Sequence, residues 1–227
     1  MMALLGALRF EHGSASERHR GLLGVAVLDR PLAMAELKRV CVFCGSNRGV
    51  HPDHAAAARA VGQALAARGL SLVYGGGRVG LMGEVADAVL AAGGEAIGVI
   101  TEKLRALEVG HEGLSELFVV ESMHARKTMM AHLASAFVIL PGGWGTLEET
   151  FEVLTWSQLG YHRKPIGLLD VRGYYGPLLA FADRAVEEGF LKPEHRALLI
   201  ARGGVDELFQ ALSASEVPAQ PKWIDAP

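Results

Sequence analysis

A Rossmann-like α/β fold, an open doubly wound parallel sheet with helices on both faces in a single domain, is what this sequence predicts. Three observations carry it. From Arg39 onward, short β-branched runs alternate with longer Ala/Leu-rich stretches. Runs such as Phe137-Val-Ile-Leu140 are apolar on both faces, as strands covered by helices on both sides are. Two of the runs also pass through glycine-rich loops directly into helical patterns, and that junction is where sheets of this kind hold ligands.

The elements follow in order. Strands are expected at Val40–Phe43, Ser71–Tyr74, Ala96–Ile100, Leu117–Val120, Phe137–Leu140 and Ile166–Leu169. Between them the Ala/Leu-rich stretches predict helices over Pro52–Arg68, Leu81–Ala92, His124–Ser135, Thr146–Leu159 and Gly176–Glu188, with a further helix after Asp206. Right-handed crossovers between parallel strands then wind the chain into an open sheet. No internal repeat interrupts this order.

The chain has 227 residues, enough for one large domain with an N-terminal arm. Half the residues are apolar and 21% are charged, which suits a buried core. A net charge of −3 gives no electrostatic case for nucleic acid or an anionic membrane. The apolar runs Met1–Leu8 and Leu22–Leu28 are too short for a membrane span and lack the layout of a signal peptide. Residues 1–37 are read as a leader, 38–215 as the domain and 216–227 as a loose tail. Cys41 and Cys44 are the whole cysteine supply. Their C-x-x-C can signal redox chemistry or half a metal site. Here it lies in a strand that runs into a turn, so both are read as buried structural thiols with no metal site. Low cysteine usage suits the cytoplasm.

Ligands of doubly wound sheets sit at the C-terminal ends of the strands. That singles out Gly45-Ser-Asn47, Gly75-Gly-Gly-Arg78 and Pro141–Thr146. Pro141-Gly-Gly-Trp-Gly-Thr146 follows a strand and opens a helix, so its glycines permit close approach and positive φ, and the helix start offers free N–H groups to an anion. Tyr74-Gly-Gly-Gly-Arg-Val-Gly-Leu-Met82 has the same logic. Neither is a P-loop or a dinucleotide fingerprint. Each can also be a tight turn that needs glycine for its shape. Two on one sheet edge favour a phosphate-bearing ligand.

Thr146-Leu-Glu-Glu149 reads as a capping box that places Glu148 and Glu149 in the first helical turn. A carboxylate beside a bound phosphate is awkward unless it has a chemical role. Arg126 and Lys127 read either as a solvated helix face or as cations aimed at that ligand edge. His124 and His132 are assigned to structure or solvent, and Met123, Met129 and Met130 to packing. Trp144 is a loop anchor or a lid on a base.

These residues, in this order, resemble the Lonely Guy (LOG) family of cytokinin-activating phosphoribohydrolases. Its P-G-G-x-G-T-x-x-E stands here as Pro141-Gly-Gly-Trp-Gly-Thr-Leu-Glu-Glu149 and its Arg-Lys as Arg126-Lys127. Tyr74-Gly-Gly-Gly-Arg-Val-Gly-Leu-Met-Gly83, Phe151-Glu-Val-Leu-Thr-Trp-Ser-Gln-Leu-Gly160, Lys164-Pro165 and Gly173-Tyr-Tyr175 continue the likeness from about Lys38 to Leu212. Ala125 stands where an acid is common in the family. A "lysine decarboxylase" label often attached to such proteins finds no support, since nothing positions a pyridoxal cofactor.

The resemblance implies hydrolysis of the N-glycosidic bond of a nucleoside 5′-monophosphate, cytokinin riboside monophosphates and AMP being the substrate class, with no cofactor. It assigns catalysis to Arg126 and Glu149. It assigns substrate contacts to Lys127, Gly76, Gly77, Gly142, Gly143, Gly145, Thr146, Glu148 and Thr155, and to an acid before the fourth strand, either Glu108 or Glu112. It implies a homodimer joined near Thr155–Gly160. The chemistry fits, because cleaving a ribosyl C–N bond builds positive charge on the sugar that a carboxylate can balance. Arg126 cannot act as a base, but can bind phosphate, hold Glu149 or stabilise the departing base. A non-catalytic nucleotide or cofactor carrier on the same fold is the competing reading, and a dinucleotide-dependent oxidoreductase a third.

Overall fold

The computed structural model describes residues 37–107 and 110–216. The leader and tail therefore fall, apart from Leu37 and Glu216, outside the described residues, as does Glu108. Seven strands form one all-parallel sheet: β1 (Arg39–Phe43), β2 (Ser71–Tyr74), β3 (Ala96–Thr101), β4 (Glu116–Val120), β5 (Ala136–Ile139), β6 (Ile166–Leu169) and β7 (Leu199–Arg202). Among the described residues eight α-helices connect or flank them: α1 (Pro52–Ala67), α2 (Gly80–Ala91), α3 (Glu102–Ala106), α4 (Met123–Leu133), α5 (Trp144–Gln158), α6 (Gly176–Glu187), α7 (Pro193–Arg196) and α8 (Val205–Ser213). The expected six strands are all present. β7, α3 and α7 are additions.

The strand order is β4-β3-β2-β1-β5-β6-β7. The chain builds outward from β1 to one edge, then returns to start again with β5 on the other side of β1. The loops leaving β1 and β5 therefore diverge, and that switch point is where doubly wound sheets open a crevice. β1 and β5 are in register over Val40↔Ala136 to Phe43↔Ile139, so their C-terminal ends stand level.

Side chains alternate across the sheet and feed two separate cores. One lies under α1, α2 and α8 and holds Val40, Val42, Leu65, Leu72, Tyr74, Leu81 and Leu140. The other holds Cys41, Phe43, Val73, Met130, Phe137, Ile139 and Val153 on the α4 and α5 side. Cys41 and Cys44 belong to opposite cores, so they stand as two separate buried thiols. Burial pushes both thiols well above the ordinary cysteine range, the opposite of a redox or ligating cysteine. Among the described residues no group of His, Cys, Asp or Glu is placed to hold a metal, and no helix is long and apolar enough to cross a membrane.

Candidate functional site

All three glycine loops singled out in the sequence converge on one cavity of about 690 Å³ at the β1/β5 switch point. Its floor is apolar, with Val42, Leu81, Met82, Ile100 and Met130, and its polar groups include Arg126, Thr146 and Glu149.

The loop after β5 differs from expectation in two ways. α5 starts at Trp144 with Gly143 as its N-cap, two residues ahead of Thr146. Thr146 is thus inside the helix, where its carbonyl accepts the Thr150 hydroxyl (2.6 Å). Thr146-x-x-Glu149 is therefore not a capping box: no acid stands in the first turn, and Glu149 lies in the second. Nor do these glycines use positive φ; Gly142, Gly143 and Gly145 are all outside the left-handed region. Gly142 is needed for close approach, since a Cβ there would come within 2.1 Å of Thr146 Oγ1. At Gly143 and Gly145 a Cβ would meet nothing within 4 Å, which leaves open space along the cavity. No carbonyl among the described residues takes the N–H groups of Gly143, Trp144, Gly145 or Thr146. Four amides left without a partner at a helix start have the geometry and the polarity that suit an anion.

The loop after β2 has another task. Gly75 is needed because a Cβ there would stand 2.0 Å from Arg126 Nη2. Gly76 does take positive φ (+70°), but it packs against Leu117 and Ile100 rather than lining the cavity. Of the glycines 75–77, Gly75 and Gly77 reach the cavity wall. The two loops are alike in sequence, yet one opens amides to the cavity and the other makes room for a guanidinium.

Arg126 is buried, not solvated: the residue is 7% exposed. Nε donates to the Val99 carbonyl (2.9 Å) and Nη2 to the Gly75 carbonyl (3.0 Å), while Met123 Sδ lies 3.9 Å from Nη1. This three-sided grip turns Nη1 toward Glu149 Oε1 at 3.9 Å, an ion-pair distance too long for a hydrogen bond. Burial raises the Glu149 carboxyl from 4.5 to about 7, against the pull of Arg126 and with a further push from Glu148 and Glu152. A buried carboxyl balanced near neutrality beside a fixed cation in a cavity is an arrangement that reactive sites use.

Other expected contacts stand elsewhere. Lys127 is one residue from Arg126, but a helix turns about 100° per residue, and it faces away from the cavity. Its ammonium donates to Glu148 Oε1 (2.5 Å) and Glu152 Oε1 (3.0 Å). Glu148 and Thr155 are exposed on the same stripe of α5 and do not line the cavity. Glu112 lines a separate cavity with Arg78, Asp87, Arg105 and His111. His124 and His132 are exposed. Met130 is core, whereas Met123 is 45% exposed and touches Arg126. Trp144 is 89% exposed on the cavity rim, so packing among the described residues does not anchor it.

His54 and Tyr174 also line the cavity. Nothing in the sequence marks His54; the Gly-Tyr-Tyr run was the signal for Tyr174.

Comparisons with known proteins place this chain beside a named family and a shared fold. The family model described as "Possible lysine decarboxylase" matches residues 82–212. The Arabidopsis thaliana protein named cytokinin riboside 5′-monophosphate phosphoribohydrolase LOG7 is 49% identical over 182 residues, 80% of this chain and 84% of that protein. The Oryza sativa subsp. japonica protein named probable cytokinin riboside 5′-monophosphate phosphoribohydrolase LOGL9 is 52% identical over 178 residues, 78% of each. Among solved structures, the molybdenum cofactor binding protein of Rippkaea orientalis superposes with a TM-score of 0.61 at 19% identity, covering 78% of this chain and 96% of that one. The molybdenum cofactor carrier protein of Chlamydomonas reinhardtii gives 0.60 at 20% identity, covering 77% and 95%. At that identity the two structures share the fold and nothing more.

Proposed function

This chain belongs to the LOG family of cytokinin riboside 5′-monophosphate phosphoribohydrolases, and from that premise we propose that it is a hydrolase that cleaves the N-glycosidic bond of cytokinin riboside 5′-monophosphates, and of AMP, to free base and ribose 5-phosphate. The observation that carries this at residue level is the Arg126–Glu149 pair, set in one cavity beside four free helix-start amides.

In this reading the phosphate lies at the amides of Gly143–Thr146. The bond from the sugar C1′ to the base nitrogen breaks, and the sugar takes on positive charge. The Glu149 carboxylate faces that charge and accepts a proton from the attacking water, whose oxygen bonds to C1′. The base leaves with its bonding electrons and takes up, directly or through solvent, the proton that Glu149 received, which returns Glu149 to its carboxylate form. Arg126 keeps its charge throughout, holds Glu149 in orientation and presents its remaining N–H groups to the nucleotide. A carrier would bind through the same amides but has no use for a carboxyl raised to about 7. The decarboxylase wording of the family model fits poorly: no lysine lines the cavity among the described residues, and pyridoxal chemistry needs an amine for its Schiff base.

The deciding experiment incubates the protein, with no added metal or cofactor, with AMP and separately with isopentenyladenosine monophosphate, and reads free base by HPLC. Release of base with ribose 5-phosphate is expected, and the rate ratio names the preferred substrate. Tight nucleotide binding without release from either points to the carrier.

A homodimer belongs to the same proposal. Glu148, Phe151 and Thr155 share one stripe of α5, Phe151 being 45% exposed, and Lys127 of α4 pairs with Glu148 on it. Any contact these residues make with substrate then comes from a second chain laid against α5. Light scattering is expected to give twice the mass of one chain; the mass of a single chain at micromolar concentration sinks this part.

A further inference from the structure

Three consecutive carbonyls in the loop after β5 each have a dedicated donor. Leu140 O accepts the Tyr175 hydroxyl (2.8 Å), Pro141 O accepts the Gly45 N–H (3.0 Å) and Gly142 O accepts the Tyr174 hydroxyl (2.7 Å). The two tyrosines are adjacent, and their rings meet edge to face at 4.9 Å. The turn that delivers them is itself pinned. Tyr175 N–H donates to Asp170 Oδ1 (2.8 Å), Arg172 stands in the left-handed region (φ 60°), and its guanidinium pairs with Asp53 (2.9 Å). His54 meets the Tyr174 ring in an edge contact, with ring centroids 5.9 Å apart.

The two hydroxyls do different work. Tyr175 is 2% exposed and serves the buried end of the strand. Tyr174 is 47% exposed, lines the cavity and holds the peptide between Gly142 and Gly143. A planar trans peptide points its C=O and N–H in opposite directions. With glycine on both sides, no Cβ hinders rotation of that peptide plane. A flip would exchange the Gly143 N–H for the Gly142 carbonyl oxygen, replacing a partial positive charge with a partial negative one where the helix start receives an anion.

We propose that Tyr174 is a positioning residue: its hydroxyl locks the Gly142–Gly143 peptide in the orientation that offers the Gly143 N–H, and so makes the loop receptive to the phosphate of the substrate. This rests on the reading that the loop after β5 holds phosphate. Tyr174 acts through the loop, and touches none of the reacting atoms. Because the phosphate is held alike before and during bond cleavage, the lock governs binding more than turnover.

The test compares wild type with Tyr174→Phe, which removes only the oxygen, using AMP hydrolysis and inorganic phosphate as a competitive inhibitor. Thermal melting confirms that the variant is folded. Expected is a rise in KM for AMP and in the phosphate inhibition constant by the same factor, about three- to tenfold for one lost hydrogen bond, with kcat changed by less than about twofold. A variant with wild-type KM and wild-type phosphate inhibition overturns the lock while leaving the phosphate reading in place. So does a fall in kcat at unchanged KM. If phosphate fails to compete with AMP in the wild type, the phosphate reading itself falls, and the proposal with it.

Discussion

Glu149→Gln is expected to lower kcat/KM by about 10²- to 10⁴-fold, the range set by loss of a positioned general base and its charge, with KM for AMP nearly unchanged. Gln is the same shape as Glu and can sit beside Arg126, so the cavity keeps its form. What it lacks is the negative charge that balances a cationic sugar and the affinity for the proton of water. The pH profile is a second reading of the same group. With the Glu149 carboxyl at about 7, wild-type kcat/KM should rise with pH through about 7 and level off above it, while the residual activity of the variant should lack that inflection. Near-normal turnover in the variant would remove Glu149 from the reaction.

Stability should move the other way. The Glu149 carboxyl is raised to about 7 in the folded protein from an ordinary 4.5. A group raised on folding contributes fully below its unfolded value and loses that contribution as pH climbs through the folded value. Above pH 7 the folded protein carries a buried carboxylate, at a cost on the order of 3 kcal/mol at most. Removing the charge should therefore leave the melting temperature unchanged near pH 5 and equal or higher near pH 8. A uniformly lower melting temperature with turnover intact would mark Glu149 as a structural residue. The stabilised but inactive outcome is the trade expected of a site that keeps a charge where folding alone would not.

How much of this was legible in the sequence depends on the range of the interactions involved. The strands β1 to β6 announce themselves because β-branched runs such as Val40–Phe43 and Phe137–Ile139 are apolar on both faces. β7 does not: Leu199-Ile-Ala-Arg202 is a four-residue edge strand, exposed toward its end, in a stretch rich in Ala and Leu. α3 and α7 are too short, at five and four residues, to show a helical period. The loop cluster was legible because topology alone brings the C-terminal ends of β1, β2 and β5 together. The start of α5 was misplaced because Thr-x-x-Glu has the chemistry of a capping box, while the actual N-cap, Gly143, contributes no side chain to recognise. The burial of Arg126 was not legible at all. It depends on an absent atom 51 residues away, the Cβ that Gly75 lacks.

That dependence gives the second large effect. Arg126→Ala is expected to cut kcat/KM at least as far as Glu149→Gln does, about 10³-fold or more, because it removes both the cation in the cavity and the partner that favours an ionised Glu149. It should also destabilise the fold by about 1–3 kcal/mol, since the Gly75 and Val99 carbonyls lose their donors. Lys at this position keeps the charge but cannot donate from a planar fork to two carbonyls at once, so Arg126→Lys should recover little. Deleting a side chain, however, cannot separate charge from position. Gly75→Ala can, because it leaves every charged group in place and sets a Cβ 2.0 Å from Arg126 Nη2, which the guanidinium can relieve only by leaving its two carbonyls. If the grip on Arg126 is what turns Nη1 toward Glu149, Gly75→Ala should lose turnover with Arg126 intact, and the pH inflection should shift as the cation moves away from the carboxyl. Normal turnover in that variant would mean that the reaction needs the charge but not its placement, and the clamp built by β2 and β3 would then serve the fold alone.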